Sequence, residues 1–186
     1  MLVDEKPERS SDLARALVEA GYEVVARLTG CDDLRVRVAA LAPDVIIVDM
    51  QSPSRDVLED MRRLHQEQPR PVVMFVDQSD ADSIRAAVRA GVSAYVVDGL
   101  KSRSVRAVVE VAIARFEEFQ ALRSELDAAR NTLADRKLVE RAKGIIMRRQ
   151  GIGEEDAYQL LRKTAMDRKK KLVEIARDVI AMAELL

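Results

Sequence analysis

The chain has 186 residues, 48% of them hydrophobic and 34% charged, with a net charge of −1; that supports one or two cored domains and excludes general disorder. No apolar run nears the ~18–20 residues of a membrane span and the start lacks a signal-peptide pattern, so a cytoplasmic protein with no membrane partner is expected. One cysteine, Cys31, and one histidine, His65, exclude an internal disulfide and give little basis for a zinc site or a Ser-His-Asp triad. Cys31 reads as a small buried residue, and His65, in the polar helix ending HQEQPRP, as a solvated one.

Over residues 1–115 short apolar runs alternate with amphipathic stretches. The runs are Leu2–Val3, Tyr22–Ala26, Val45–Val48, Val72–Val76 and Ala94–Val97. Helical patterns lie between them, such as Leu13, Leu17 and Val18, or Ile84 and Val88 followed by Gly91 as a C-cap. Strands and helices at this spacing predict βαβ units, and runs apolar on both faces predict strands covered on each side. The expectation is an α/β doubly wound five-stranded parallel sheet, flavodoxin-like in topology. The first strand starts at the second residue, which implies a short strand or a start further upstream.

Asp4 and Glu5 follow the first strand and Asp49 follows the third. In a doubly wound sheet those strand ends are neighbours, so the three carboxylates should converge at the carboxyl edge, where such sheets bind ligands. Hard oxygen donors of this kind suit Mg²⁺; the competing reading is three unrelated loop acids.

From about Ser104 the apolar period becomes helical. Phe119, Leu122, Leu126, Ala129 and Leu133 recur at 3-4-3-4 spacing, a heptad seam that predicts a coiled coil, and residues 116–135 read as a linker helix between a domain of residues 1–115 and another of 136–186. The alternative is an amphipathic helix packed on its own domain. Gly151 should stop this helix. A second helix is expected over about 154–166 and a third over about 171–185, closing a small three-helix bundle. Its expected core comprises Leu138, Ile145, Ile146, Tyr158, Leu161, Leu172, Ile175 and Val179, with Met147, Met166 and Met182 as fillers.

Charge is concentrated here. Residues 136–171 hold 12 basic and 5 acidic side chains, a net of +7, whereas every other part of the chain is net negative. Such a segment suggests a polyanion site, with a solvated helix face as the competitor. Arg141, Lys143, Arg148 and Arg149 flank the small residues Ala142 and Gly144, which would let a backbone or base approach closely. Helix packing against Ala and Gly explains the same pattern. Lys163 and the run Arg168, Lys169, Lys170, Lys171 could extend the positive surface. The last helix, LVEIARDVIAMAELL, is acidic and apolar, poorly suited to a DNA major groove.

Two resemblances sharpen this reading. Residues 1–115 resemble the receiver domain of two-component response regulators. The likeness implies Asp49 as phosphoacceptor, Asp4 and Glu5 with Asp49 as ligands of Mg²⁺, and Tyr95 as the switch aromatic. Val76 stands where receivers carry Thr or Ser, and Asp98 where they carry Lys, so these switch positions imply a pseudo-receiver. The segments ERAKGIIM, EEDAYQLLRK and AMD, in that order, resemble the ANTAR domain of amide- and nitrate-responsive antitermination regulators. DGL after the fifth strand is most like the nitrate-responsive branch. The resemblance implies a non-enzymatic regulator that binds RNA hairpins in leader transcripts, a homodimer through the coiled coil, and control by a histidine kinase or a ligand-sensing partner. The alternatives are a DNA-binding response regulator and a protein-interaction adaptor.

Overall fold

The computed structural model describes residues 1–5, 7–31, 33–97 and 105–184. The chain forms two compact units, Met1–Gln120 and Ala121–Leu186. In the first, strands β1 (Leu2–Asp4), β2 (Arg27–Thr29), β3 (Ile46–Met50), β4 (Val72–Val76) and β5 (Ala94–Val97) make one parallel sheet in the order β2-β1-β3-β4-β5. Helices α1 (Pro7–Glu19), α2 (Leu34–Leu41), α3 (Arg55–Glu67) and α4 (Ala81–Arg89) alternate with the strands, and α5 (Val105–Gln150) follows β5. This is the doubly wound sheet that the apolar runs predict.

Strand periodicity explains the two cores. Side chains alternate across a strand, so Ile46, Val48, Val72, Met74 and Val76 enter one cluster with α2, α3 and α4, while Ile47, Val73 and Phe75 enter the other with α1 and the start of α5. Cys31 is buried in the first. One strand differs from expectation. Tyr22–Ala26 pairs only at its end, where Leu2 N–H donates to Ala26 O, and β2 begins at Arg27. β2 is an edge strand, exposed at Arg27 and Thr29 and half-buried only at Leu28, so it needs no apolar run.

Local chemistry fixes the helix ends. Ser54 Oγ accepts from Val57 N–H ahead of α3, and Asp80 accepts from Ser83 N–H at 2.7 Å ahead of α4. That backbone hydrogen bond holds the Asp80 carboxyl below its ordinary range. After α4, Gly91 adopts φ +92°, and a Cβ there would lie 2.4 Å from the His65 ring. His65 is therefore not solvated as expected: it is half-buried on Gly91, with ring centroids 6.5 Å from Phe116 and 6.2 Å from Phe119.

In the second unit the end of α5 packs with α6 (Glu154–Asp167) and α7 (Leu172–Glu184). α5 stops at Gly151, φ +66°, as expected. The core holds Ala142, Ile146, Ala157, Leu161, Ala165, Ile175, Ala176 and Ile180. Four alanines at the contacts let three helices approach closely. Met166 and Met182 are exposed rather than core fillers, and Tyr158 is half-buried at the rim. No helix among the described residues is long and apolar enough to cross a membrane.

Candidate nucleic-acid interface and acidic cleft

In the first unit, Asp4 and Asp49 are register partners on neighbouring strands and both are buried. Glu5 is close by: its backbone N–H donates to Asp49 O at 3.4 Å and its carboxylate accepts from Gln51 N–H at 3.2 Å. Among the described residues no three Asp, Glu, His or Cys side chains are grouped to hold a metal ion. Asp4 and Asp49 form the buried pair, and Glu5 spends one carboxylate oxygen on the backbone after β3.

Val76, at the end of β4, is fully buried in the apolar cluster and offers no hydroxyl to an anion beside Asp49. Tyr95 packs against the same cluster, and its hydroxyl lies 2.9 Å from Ser79 Oγ in the loop before α4. The aromatic on β5 is thereby tied to the loop that follows β4. Asp98 lies outside the described residues.

The second unit corrects the expected basic surface. Ala142 is fully buried in the helical core, so it cannot form the floor of a nucleic-acid surface. The helix phase explains this: Ala142 stands four residues from both Leu138 and Ile146. Lys143 is also buried, donating to Glu140 at 2.8 Å and Glu154 at 2.7 Å. Those hydrogen bonds, to Glu140 and Glu154 in turn, hold its ammonium above its ordinary pKa, and the Lys143 bond holds Glu154 below its own. Lys143 is a strut between α5 and α6. Gly144 is half-buried, with open space where a Cβ would stand.

Other cations are engaged as well. Arg141 pairs with Glu184 at 2.8 Å and Lys170 with Asp178 at 3.0 Å. By contrast, Arg148, Arg149, Lys163, Arg168, Lys169 and Lys171 are exposed and make no ion pair among the described residues. All but Lys163, which lies on α6 itself, fall at two ends of the bundle. Arg148 and Arg149 close α5, whereas Arg168, Lys169 and Lys171 form the turn after α6, a helix of 14 residues and so about 20 Å long. Lys169 holds that turn in the left-handed region at φ 53°, and Lys170 N–H closes it onto Ala165 O at 3.0 Å.

A cleft that the sequence did not disclose lies beside this turn. Its volume is about 530 Å³, and Arg136 from α5, Tyr158 from α6 and Lys171 ahead of α7 line it. The missed signal was helical phase. Ala157, Leu161 and Ala165 mark the buried stripe of α6, and Tyr158 stands one position off it, at its edge.

The seam residues Phe119, Leu122, Leu126 and Leu133 are about half exposed, and Ala129 is exposed. Phe119 also lies against His65, so it serves its own domain as well as any seam.

Comparison with known proteins places these features. The response regulator receiver domain family matches residues 1–110, and the ANTAR domain family matches residues 127–180. The chain is 34% identical over 170 residues to the transcriptional regulatory protein PdtaR of Mycobacterium tuberculosis, spanning 91% of this chain and 82% of that protein. It is 44% identical over 68 residues to the nitrate regulatory protein of Klebsiella oxytoca, spanning 37% of this chain and 17% of that protein. A CheY-like receiver domain protein from Methanospirillum hungatei matches with a TM-score of 0.55 at 16% identity, over 63% of this chain and 94% of that one, a likeness of fold alone.

Proposed function

We propose that this chain, which belongs to the response regulators joining a receiver domain to an ANTAR domain, binds hairpin RNA in leader transcripts through its second unit and so prevents termination of transcription. The observation that carries this is the set of exposed cations, Arg148, Arg149, Lys163, Arg168, Lys169 and Lys171, that the fold leaves outside ion pairs among the described residues. Phosphate contacts supply most of the salt-dependent affinity for nucleic acid. Cations at two ends of a bundle about 20 Å apart suit a folded RNA, whose stem and loop present phosphates on separate tracks.

DNA is the weaker partner. In a helix-turn-helix, α7 would be the reading helix, yet Arg177 is its one basic side chain and two of its acids are engaged within the bundle. Glu184 holds Arg141, Asp178 holds Lys170, and Arg177 lies 3.7 Å from Asp135. No row of side chains remains on it to address base edges.

Control is assigned to the first unit. Asp49 is assigned as the phosphoacceptor. The buried pair Asp4 and Asp49 fits the one or two carboxylates that Mg²⁺ accepts alongside waters and a phosphoryl oxygen, and the ion would offset the charge of an incoming phosphoryl group. Val76 gives that group no hydrogen bond, and the sequence carries Asp98 where the resemblance to receivers implies a Lys, so phosphorylation is disfavoured and a partner protein is the controlling input. No catalysis is required of either unit. The half-exposed seam Leu122, Leu126 and Leu133 is assigned to pairing with a second copy, which would present two bundles to paired RNA loops.

The test is titration of the full chain with a labelled RNA hairpin and a matched DNA duplex across 50–200 mM salt, a range over which phosphate contacts are strongly weakened. RNA binding should prevail, with Arg148→Gln and Arg149→Gln each flattening the log K versus log salt slope by about 0.7. Equal affinity for the duplex, or a slope insensitive to both variants, contradicts the proposal.

A further inference from the structure

Tyr158 is the one aromatic residue of the second unit. It is half-buried rather than packed into the core, and it faces the cleft of about 530 Å³. That volume lies within the ordinary range of small-ligand sites, about 300–1,000 Å³. One wall is a face of α5 on which Thr132, Asp135, Arg136, Val139 and Glu140 recur at helical spacing, and Lys171 with Leu172 and Val173 at the start of α7 completes the lining.

The charges of this lining are balanced, unlike those of the exposed cations elsewhere. Arg136 and Lys171 are exposed and outside ion pairs among the described residues. Asp135 is held only loosely by Arg177, at 3.7 Å, and Glu140 spends one oxygen on Lys143 at 2.8 Å. Both carboxylates therefore retain acceptor capacity towards the cleft. A phosphate alone would meet two cations and two anions there, with little net attraction. An unpaired base joined to its own phosphate meets better terms: a π-face for stacking, carboxylates for an exocyclic amine, and cations for the backbone.

We propose that this cleft receives one unpaired, amine-bearing base of the RNA loop, stacked on Tyr158 with Arg136 and Lys171 on its flanking phosphates. The proposal rests on the RNA-binding reading above and names where base recognition, as opposed to phosphate attraction, takes place. Adenine, cytosine and guanine can each donate an amine to Asp135 or Glu140. Uracil has no exocyclic amine, and its single N3–H lies between two carbonyl oxygens that face the carboxylates unfavourably.

The experiment uses the full chain and two fluorescein-labelled hairpins with one stem and a loop of adenines or of uracils, titrated by anisotropy. The adenine-loop hairpin should bind more tightly. Tyr158→Leu, checked for helicity by circular dichroism, should weaken it about tenfold or more, as base–aromatic stacking predicts. Tyr158→Phe keeps the ring and should stay within about twofold of wild type. Should Tyr158→Leu lose helicity, Arg136→Gln decides, since Arg136 is exposed: it should weaken the adenine-loop hairpin and flatten the salt slope by about 0.7. Wild type that binds neither hairpin overturns the RNA-binding reading, and this one with it. Wild-type binding that a folded Tyr158→Leu leaves intact, that Arg136→Gln leaves intact, or that is equal for adenine and uracil loops, overturns the cleft alone.

Discussion

Ala142→Glu separates a residue of the helical core from one on an RNA surface. Ala142 is fully buried among Ile146, Ala157 and Leu161. A glutamate there must either carry its charge into an apolar core or take up a proton. At pH 7, protonating a carboxyl whose ordinary pKa is about 4.3 costs roughly 3–4 kcal/mol. Its extra atoms add about 1–3 kcal/mol of overpacking. The sum, roughly 4–7 kcal/mol, is comparable to the whole stability of a unit running from Ala121 to Leu186, about 3–10 kcal/mol. Ala142→Gly, which only loosens the helix, should cost about 1 kcal/mol. The buried glutamate has a raised folded pKa, so the variant regains stability as the pH falls towards its ordinary value and is weakest at neutral pH. Amide hydrogen exchange on α6 and α7 is the assay, with protection in β3 and β4 as the internal control. Wild-type protection of α6 and α7 at pH 7 in Ala142→Glu would refute the burial argument.

Other perturbations give distinct outcomes. Leu126→Lys with Leu133→Lys should abolish self-association in sedimentation equilibrium while β-sheet content holds; an unchanged mass at high concentration would assign the seam to a single chain. Incubation with a small phosphodonor and Mg²⁺, followed by intact-mass measurement, should find Asp49 poorly phosphorylated; stoichiometric phosphorylation that switches RNA binding would overturn the pseudo-receiver reading. Because Glu154 is held below its ordinary pKa by Lys143, its contribution is present above the ordinary carboxylate range and lost as the pH falls through about 4 and below. Glu154→Gln should flatten that acid limb of the melting curve, and an unchanged limb would count against the strut. Lys169→Gly should raise the melting temperature of the second unit, worth about 0.5–1 kcal/mol, by relieving left-handed strain less the added freedom of the unfolded chain. The same change should weaken RNA binding, and a gain in both would show that Lys169 touches no phosphate.

Most of the sheet was legible because the buried strands are apolar on both faces, as in Val72–Val76. β2 was misplaced because an edge strand needs only Leu28 inside, while the richer apolar run before it packs and pairs only at Ala26. In the second unit the helices were legible from Gly151 and the acids at Glu154–Asp156, but the site was not. Small residues flanked by cations read equally as a docking surface or a helix contact, and Leu138, Ala142 and Ile146 at four-residue spacing decide for the contact. Charge counts could not tell which lysines are free: Lys143 and Lys170 are consumed by Glu154 and Asp178, contacts 11 and 8 residues apart. His65 was misread because its neighbours in sequence are polar while those in space are Gly91, Phe116 and Phe119.

Termination itself is the direct readout of the proposed role. Leader RNAs from the source organism that the purified chain retains would be transcribed in single rounds from templates carrying their own terminators. Adding wild-type chain should shift product from the terminated to the read-through length, and the Arg148→Gln, Arg149→Gln double variant should not. Unchanged termination on templates whose RNA the chain demonstrably binds would contradict the account.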